Sequence, residues 1–352
     1  MTTLMPLPHS AAYLFAKGDT PTPQGPRWEP DICPPEASYY TELVEGLSRK
    51  TGKSVEASWF YDDLGSALFE AITKLPEYGL TRADDRLISR CAGSVACHAG
   101  PSPFVAELGS GSGVKTRTLL SAMVAAQASP SENVYYAPID VSAAALDDCV
   151  RTLQCTAGLT VQATVGDYLD GLALALRQRK QEQRALVLFL GSTVGNFNKD
   201  DVVPFLKGLR ACLLPGDLLL LGADLVKPAS MLERAYDDPT GVTASFNRNL
   251  LGHLNRSFSG DFDLNLFRHV VCYNRREQRI EMYLEATEDH QAYLEDLDLR
   301  VCLSKGERIL TEYSHKFYME ELRRYADASG FEPVEEWVDR EWPFVEWLWR
   351  VQ

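Results

Sequence analysis

Glu107-Leu-Gly109-Ser-Gly111-Ser-Gly113 follows an apolar run, Phe104 to Leu108, and precedes a helical one. Glycines in such a turn let the backbone approach a ligand closely, and the N-terminus of the following helix favours anionic groups. The spacing alone is shared by nicotinamide-binding and methyl-donor-binding folds, and a tight turn without ligand also accounts for it. The acids that end the next two apolar runs narrow the choice. Asp140 closes Ala-Pro-Ile-Asp, where it can accept hydrogen bonds from both hydroxyls of a ribose. Asp167 closes Val-Gly-Asp with Tyr168 beside it, a pair suited to the amino group and the face of an adenine. Three acids at consecutive strand ends, Glu107, Asp140 and Asp167, favour S-adenosylmethionine (SAM) over NAD. Helix capping is the plainer reading of any single one, Asp167 in particular.

Alternating elements must position these groups. Strand-like runs at Phe104–Leu108, Val134–Ile139, Leu159–Val165, Ala185–Leu190 and Leu218–Ala223 alternate with helical runs. That alternation predicts a parallel sheet covered on both faces, with ligand-binding loops at the strands' C-terminal ends. Upstream, Tyr39–Arg49 and Leu64–Ile72 have helical spacing, and Thr81 is a good N-cap for a helix over Thr81–Cys91. After Lys227 the pattern changes to helices, then strand-like runs at His269–Tyr273, Arg279–Ala286, Asp296–Leu303 and Arg308–His315, an α+β insertion. Residues 1–36 carry eight prolines and predict an extended arm.

Composition bounds the function. The 352 residues carry 35 Lys+Arg against 49 Asp+Glu, a net charge of −14, which disfavours nucleic-acid and anionic-membrane partners. No run approaches the roughly 20 apolar residues of a spanning helix, and Met1–Ala16 lacks the features of a signal peptide. Eight scattered cysteines without a CxxC pair read as reduced cytosolic thiols, and neither they nor the six histidines have metal-ligand spacing. A cytoplasmic, metal-free, monomeric enzyme acting on a small molecule is expected.

Trp59-Phe-Tyr61-Asp, Leu75-Pro-Glu-Tyr78, the glycine turn, Phe189-Leu-Gly-Ser-Thr-Val-Gly-Asn196 and Ala223-Asp-Leu-Val-Lys carry a wider resemblance. So do Arg234-Ala-Tyr236-Asp-Asp, Arg279-Ile-Glu-Met282 and Leu310-Thr-Glu312-Tyr-Ser314. Over residues 38 to 330 the chain resembles the histidine Nα-methyltransferases, which make hercynine in ergothioneine biosynthesis. The resemblance implies a Rossmann-like class I SAM methyltransferase, here 82–226 plus 317–352, with a second, α+β substrate-binding domain, 37–81 plus 227–316. It implies that Gly109 and Lys115 hold the amino-acid moiety of SAM, Asp140 the ribose, and Asp167 with Tyr168 the adenine. For the substrate, Asn196 and Tyr236 would bind carboxylate and amine with Tyr78 nearby. Tyr61, Glu312 and Ser314 would surround the imidazole, with Met282 against the ring; Tyr61 and Asn196 are the expected catalytic pair.

Read from the residues alone, Tyr61 and Tyr236 also fit as core tyrosines and Met282 as core packing. Glu312 and Ser314 are i and i+2 on a strand, so they share a face. His315 points the other way and receives no role. Where the family usually continues Tyr-Tyr-Pro-Thr, this chain has Tyr78-Gly79-Leu80-Thr81, which predicts a differently shaped or more mobile wall. Two rivals stay open: Nα-methylation of another aromatic amino acid such as a tryptophan derivative, and a catalytically silent SAM-binding regulator.

Overall fold

Every residue of β3 (Phe104–Leu108), β7 (Ala185–Phe189) and β8 (Leu218–Asp224) is buried, as parallel strands covered on both faces require. The structure is a computed structural model that describes residues 31–32, 37–129 and 132–352. Most of the proline-rich stretch 1–36, including Cys33, lies outside the described residues. Asp31–Ile32 is a short strand, β1, parallel to Thr164–Val165.

The main sheet has nine strands in the order β1, β6 (Thr164–Val165), β4 (Val134–Asp140), β3, β7, β8, β15 (Phe344–Val351), β14 (Phe331–Asp339), with β5 (Leu159–Val161) also paired to β4. The single strand expected over Leu159–Val165 is thus two, one along the start of β4 and one along its end. Between them, Gln162 N–H still donates to the Tyr136 carbonyl at 2.9 Å. Chain direction from β3 leads outward to β4 on one side, and the later strands β7 and β8 lie on the other. The crevice beyond β3 and β7 is therefore a topological switch point, the usual place for a ligand in such sheets.

Helices α4 (Thr116–Ala125), α5 (Ala143–Leu153), α6 (Tyr168–Leu176) and α7 (Lys199–Ala211) form the crossovers. Alternation in β3 sends Phe104, Ala106 and Leu108 to the core shared with α6, α7 and α10 (Met319–Ser329). Val105 faces the core shared with α3 (Gly79–Ala99) and α4. The Trp-rich tail forms a hairpin, β14 (Phe331–Asp339) and β15 (Phe344–Val351), with β15 antiparallel to β8 from Phe344 opposite Asp224 onward.

A second, four-stranded sheet has the order β2-β13-β10-β9: Lys53–Ser54, Arg308–His315, Arg279–Ala286 and Phe267–Asn274. Helices α1 (Ala37–Ser48), α2 (Asp63–Thr73), α8 (Ala229–Tyr236) and α9 (Val242–Ser257) contribute to the core on which it packs. The strand expected over Asp296–Leu303 begins only at Leu299, because Glu295–Leu297 form a 3-10 turn closed by Asp298 at φ +46°. That strand, β12, pairs with an unforeseen β11 at His290–Leu294.

Helix α3 runs over Gly79–Ala99, longer at both ends than the expected Thr81–Cys91. Thr81 is inside its first turn. The approach to that end is held instead by Arg82, which donates to the carbonyls of Leu75 (2.8 Å) and Pro76 (2.6 Å). Beyond Cys91 the alanines at 92, 96 and 99 favour helix and stay buried. The N-terminal end of α3 packs with the second sheet's core and its later turns with the main sheet's.

Candidate active site

The glycine turn after β3 is shaped by left-handed backbone at Gly109 and Gly113 and by one close approach, at Gly113. Gly109 has φ +71°, and a Cβ there would lie 3.6 Å from the Tyr168 ring. Gly113 has φ +68°, and a Cβ would meet Cys149 Sγ at 2.5 Å. At the end of β4, Asp140 accepts from Gly111 N–H (3.0 Å) and Ser142 N–H (2.9 Å), one bond to each oxygen. Burial raises its pKa, and the backbone donors oppose that shift. Tyr168 sits at the start of α6 against Phe189, ring centroids 5.5 Å apart. Asp167 is exposed and caps α6, accepting from Asp170 N–H at 3.0 Å.

Glu107 departs from the strand-end pattern. It is buried beneath the turn, accepting from the Tyr136 hydroxyl and from Thr116 Oγ1 (2.7 Å), and burial pushes it up to about 7. Asp140 also has one protein donor on each oxygen, but it is partly exposed whereas Glu107 is 4% exposed, so two acids rather than three remain for the crevice. Lys115 also has a protein partner. Its ammonium is held by Asp84, a fully buried residue of α3 that accepts Gly191 N–H at 3.1 Å as well. Burial works against the charge on Lys115, but Asp84 outweighs it and the pKa rises. Glu346 of β15 is fully buried too; burial first, and then the charge of Asp84, push it well above the carboxylate range.

Across the crevice, Trp59-Phe60-Tyr61-Asp62 divides its work. Trp59 and Phe60 are buried in a 3-10 turn, Phe60 stacking on Phe246 at 4.4 Å. Asp62 caps α2 through Gly65 N–H (2.8 Å) and is tied to Asn249 (2.8 Å) and Arg256 of α9. Tyr61, between them, packs edge-on to Phe69 and Phe246. Its pKa is well above the ordinary value, chiefly from burial, then from Glu312, with Tyr168 and Asp140 contributing. Tyr61 therefore stands within electrostatic reach of both the glycine-turn side and the β13 side.

Strand β13 carries a bulge at Thr311: Met282 lies opposite Glu312, whereas Tyr283 lies opposite Leu310. The bulge sets Glu312 beside Met282, which is buried in the second sheet's core. The Glu312 carboxylate makes no hydrogen bond among the described residues. Burial raises it to about 7 against the opposing charge of Lys316, and its field reaches Tyr61, Tyr78 and Tyr236. Two residues on, Ser314 Oγ lies 2.7 Å from the Tyr236 hydroxyl, and Tyr78 and Tyr236 have ring centroids 5.9 Å apart. Asn196 ends the 3-10 turn Thr193–Asn196 after β7. Gly195 presses that turn on β13, where a Cβ would lie 2.9 Å from the His315 carbonyl. The Asn196 side chain is half-buried and makes no hydrogen bond among the described residues.

A buried ionic group behind these side chains was missed by sequence reasoning. Asp224, at the end of β8, is paired with Lys227 and Lys316 and accepts from Trp342 Nε1 at 2.9 Å. Burial alone would raise its pKa, but the two lysines hold it below the ordinary value. Burial also lowers Lys227 to about 8. Alternation along β13 was the available signal, since Lys316 follows Ser314 by two residues. Trp342 also explains Gly79: a Cβ at 79 would lie 2.2 Å from its ring. The space is filled by this indole, so the altered wall has its own packing.

A parallel sheet with a glycine turn at its switch point, an acid at the next strand end and a reversed strand β15 between β8 and β14 defines a Rossmann-like SAM-dependent methyltransferase. The model for "histidine-specific methyltransferase, SAM-dependent" matches residues 39–351, and the chain belongs to that family. It is 40% identical to the histidine N-alpha-methyltransferase of Mycobacterium tuberculosis over 299 residues, 85% of this chain and 90% of that one. It is 28% identical to ergothioneine biosynthesis protein 1 of Neurospora crassa, covering 86% of this chain and about a third (34%) of that one. An L-tryptophan methyltransferase of Psilocybe serbica is 25% identical over 84% of this chain and 88% of its own.

Proposed function

We propose that the chain transfers methyl groups from SAM to the α-amino nitrogen of L-histidine, forming hercynine for ergothioneine biosynthesis. The observation that carries this reading is Glu312: a carboxylate without a hydrogen-bond partner among the described residues, raised to about 7, on the strand face it shares with Ser314 and opposite Met282. Neutral imidazole offers one N–H and one acceptor nitrogen, which a carboxylate and a hydroxyl satisfy together. Indole offers a donor only, so the Glu/Ser pair suits histidine better than tryptophan.

On the cofactor side Gly109 would admit the amino-acid moiety and Asp140, held open by two backbone N–H groups, the ribose hydroxyls. Tyr168 supplies an adenine-sized face over Gly109, with Asp167 at its edge. Lys115 reaches this side as one member of its pair with Asp84. Bound SAM supplies an electrophilic methyl group. The chain's own task is to desolvate the amine, align it and receive it deprotonated. An α-amino group titrates near roughly 8 in peptides and higher beside a free carboxylate, still within reach of a weak base, and orientation supplies much of the rate. Asn196 and the Tyr61 hydroxyl are uncharged groups that can orient a neutral amine without stabilising its ammonium form; Tyr78 and Tyr236 complete that wall.

In this reading 82–226 plus 317–352 serve SAM and 37–81 plus 227–316 serve the amino acid. The −14 charge supports a small-molecule substrate over nucleic acid or an anionic membrane, and scattered cysteines without a CxxC pair support the cytoplasm; a monomer is proposed with them. Among the described residues no helix is long and apolar enough to cross a membrane, and no cluster of His, Cys, Asp or Glu could hold a metal. Incubating the purified chain with SAM and a panel of amino acids, read by mass, tests the proposal. Methylated histidine is expected; a chain that methylates only other amino acids, or none, refutes it.

A further inference from the structure

Lys316 has no exposed surface. Its Nζ donates to the Tyr236 hydroxyl oxygen at 2.9 Å and to Ser314 Oγ at 2.7 Å, and lies 3.0 Å from Asp224 Oδ2. An ammonium has only hydrogens to give, so each hydroxyl spends a lone pair on it. Tyr236 and Ser314 are themselves 2.7 Å apart, which uses one more hydrogen and one more lone pair. Either hydroxyl can donate across this contact; a phenol has the more acidic hydrogen and an aliphatic hydroxyl the better acceptor oxygen, which favours Tyr236 as the donor. Ser314 Oγ then has both lone pairs filled, one by Tyr236 and one by Lys316. What it retains is its own hydrogen.

We infer that Lys316 is a positioning residue for substrate choice: by filling an acceptor site on Tyr236 and on Ser314, it makes Ser314 a pure donor that selects a ring bearing an acceptor nitrogen. This rests on the imidazole reading of Glu312 and Ser314. It goes further by assigning the polarity of the serine to a lysine that touches no substrate. Removing Lys316 returns a lone pair to Ser314, which can then turn to accept as well as donate, and the preference for an acceptor nitrogen weakens.

The buried charges allow the experiment. In Lys316→Met, Asp224 keeps Lys227 and Trp342 Nε1, so one anion still faces one cation. The full chain and this variant are assayed with histidine and with a pyrrolylalanine, which keeps the ring N–H and lacks the acceptor nitrogen. The ratio of the two kcat/KM values is expected to fall about tenfold or more in Lys316→Met, the size of one hydrogen bond's discrimination, with SAM affinity changed little. In Ser314→Ala/Lys316→Met the ratio should match that of Ser314→Ala alone, because the lysine acts through the serine. Equal losses for both substrates, or additive effects in the double variant, overturn the inference. A wild-type chain that ignores histidine overturns the imidazole reading and this inference with it. If Lys316→Met does not fold, Tyr236→Phe frees the other lone pair of Ser314 and must lower the same ratio.

Discussion

Glu312 and Asp140 are the two carboxylates of the proposed site, and their surroundings prepare them for different work. Asp140 has a backbone N–H on each oxygen, so its charge is supported before any ligand arrives. Asp140→Ala should weaken SAM binding by about 1.5–3 kcal/mol, the worth of a charged hydrogen bond, with the fold intact. Calorimetry showing unchanged affinity would remove it from the site. Glu312 has no such support, and its folded pKa of about 7 lies above the ordinary carboxylate value. The folded chain therefore binds more protons at Glu312 than the unfolded chain between about pH 4.5 and 7, and stability from this group falls as pH rises through that window. Glu312→Gln removes the titration. Its Tm relative to wild type should rise between pH 5 and pH 8 by roughly 5 °C, since about two pH units at ~1.4 kcal/mol each is the most this group can give and a large domain shifts about 2 °C per kcal/mol. A pH-independent difference would place Glu312 in water.

Strands and turns bring these residues within reach, and the contact between Gly195 and β13 is one such joint, made against backbone. Gly195→Ala places a Cβ 2.9 Å from the His315 carbonyl and must push the Asn196 turn away from Ser314. Backbone cannot yield as a side-chain tip can, so a cost of about 1–3 kcal/mol is expected. Histidine kcat/KM should drop while SAM affinity changes little; equal losses of both would show that the turn serves the cofactor alone. This scale also marks what was legible in the sequence. β3, β7 and β8 were readable because buried parallel strands are continuous apolar runs, and the glycine turn because its neighbours announce strand and helix. Glu107 was misread because position at a strand end does not tell which way a side chain faces. The pairings of Asp84 with Lys115 and of Gly79 with Trp342 join residues far apart in the chain, and local periodicity carries no information about them. The bulge at Thr311, which fixes the partner of Glu312, is one residue in register and left no signal in composition.

At the scale of the whole molecule, the proposed site draws on both sheets: Gly109, Asp140 and Tyr168 come from the loops of one, and Glu312 and Ser314 from a strand of the other. Helix α3 is common to both cores, and Tyr78 precedes it immediately. Excluding water from the amine calls for these parts to close on bound substrate. Segment 75–82 is the expected reporter, and its hydrogen exchange should slow when SAM's product and histidine are both bound. Identical exchange with and without the two ligands would count against closure. The most direct measurement of the account is a competition: equimolar histidine and tryptophan with SAM, products read by mass, for wild type and Glu312→Ala. Wild type should methylate histidine preferentially. The variant should lose about 10- to 100-fold in histidine kcat/KM, as loss of a charged hydrogen bond implies, and discriminate less against tryptophan. Wild type that ignores histidine, or a variant that keeps the full histidine preference, would contradict it.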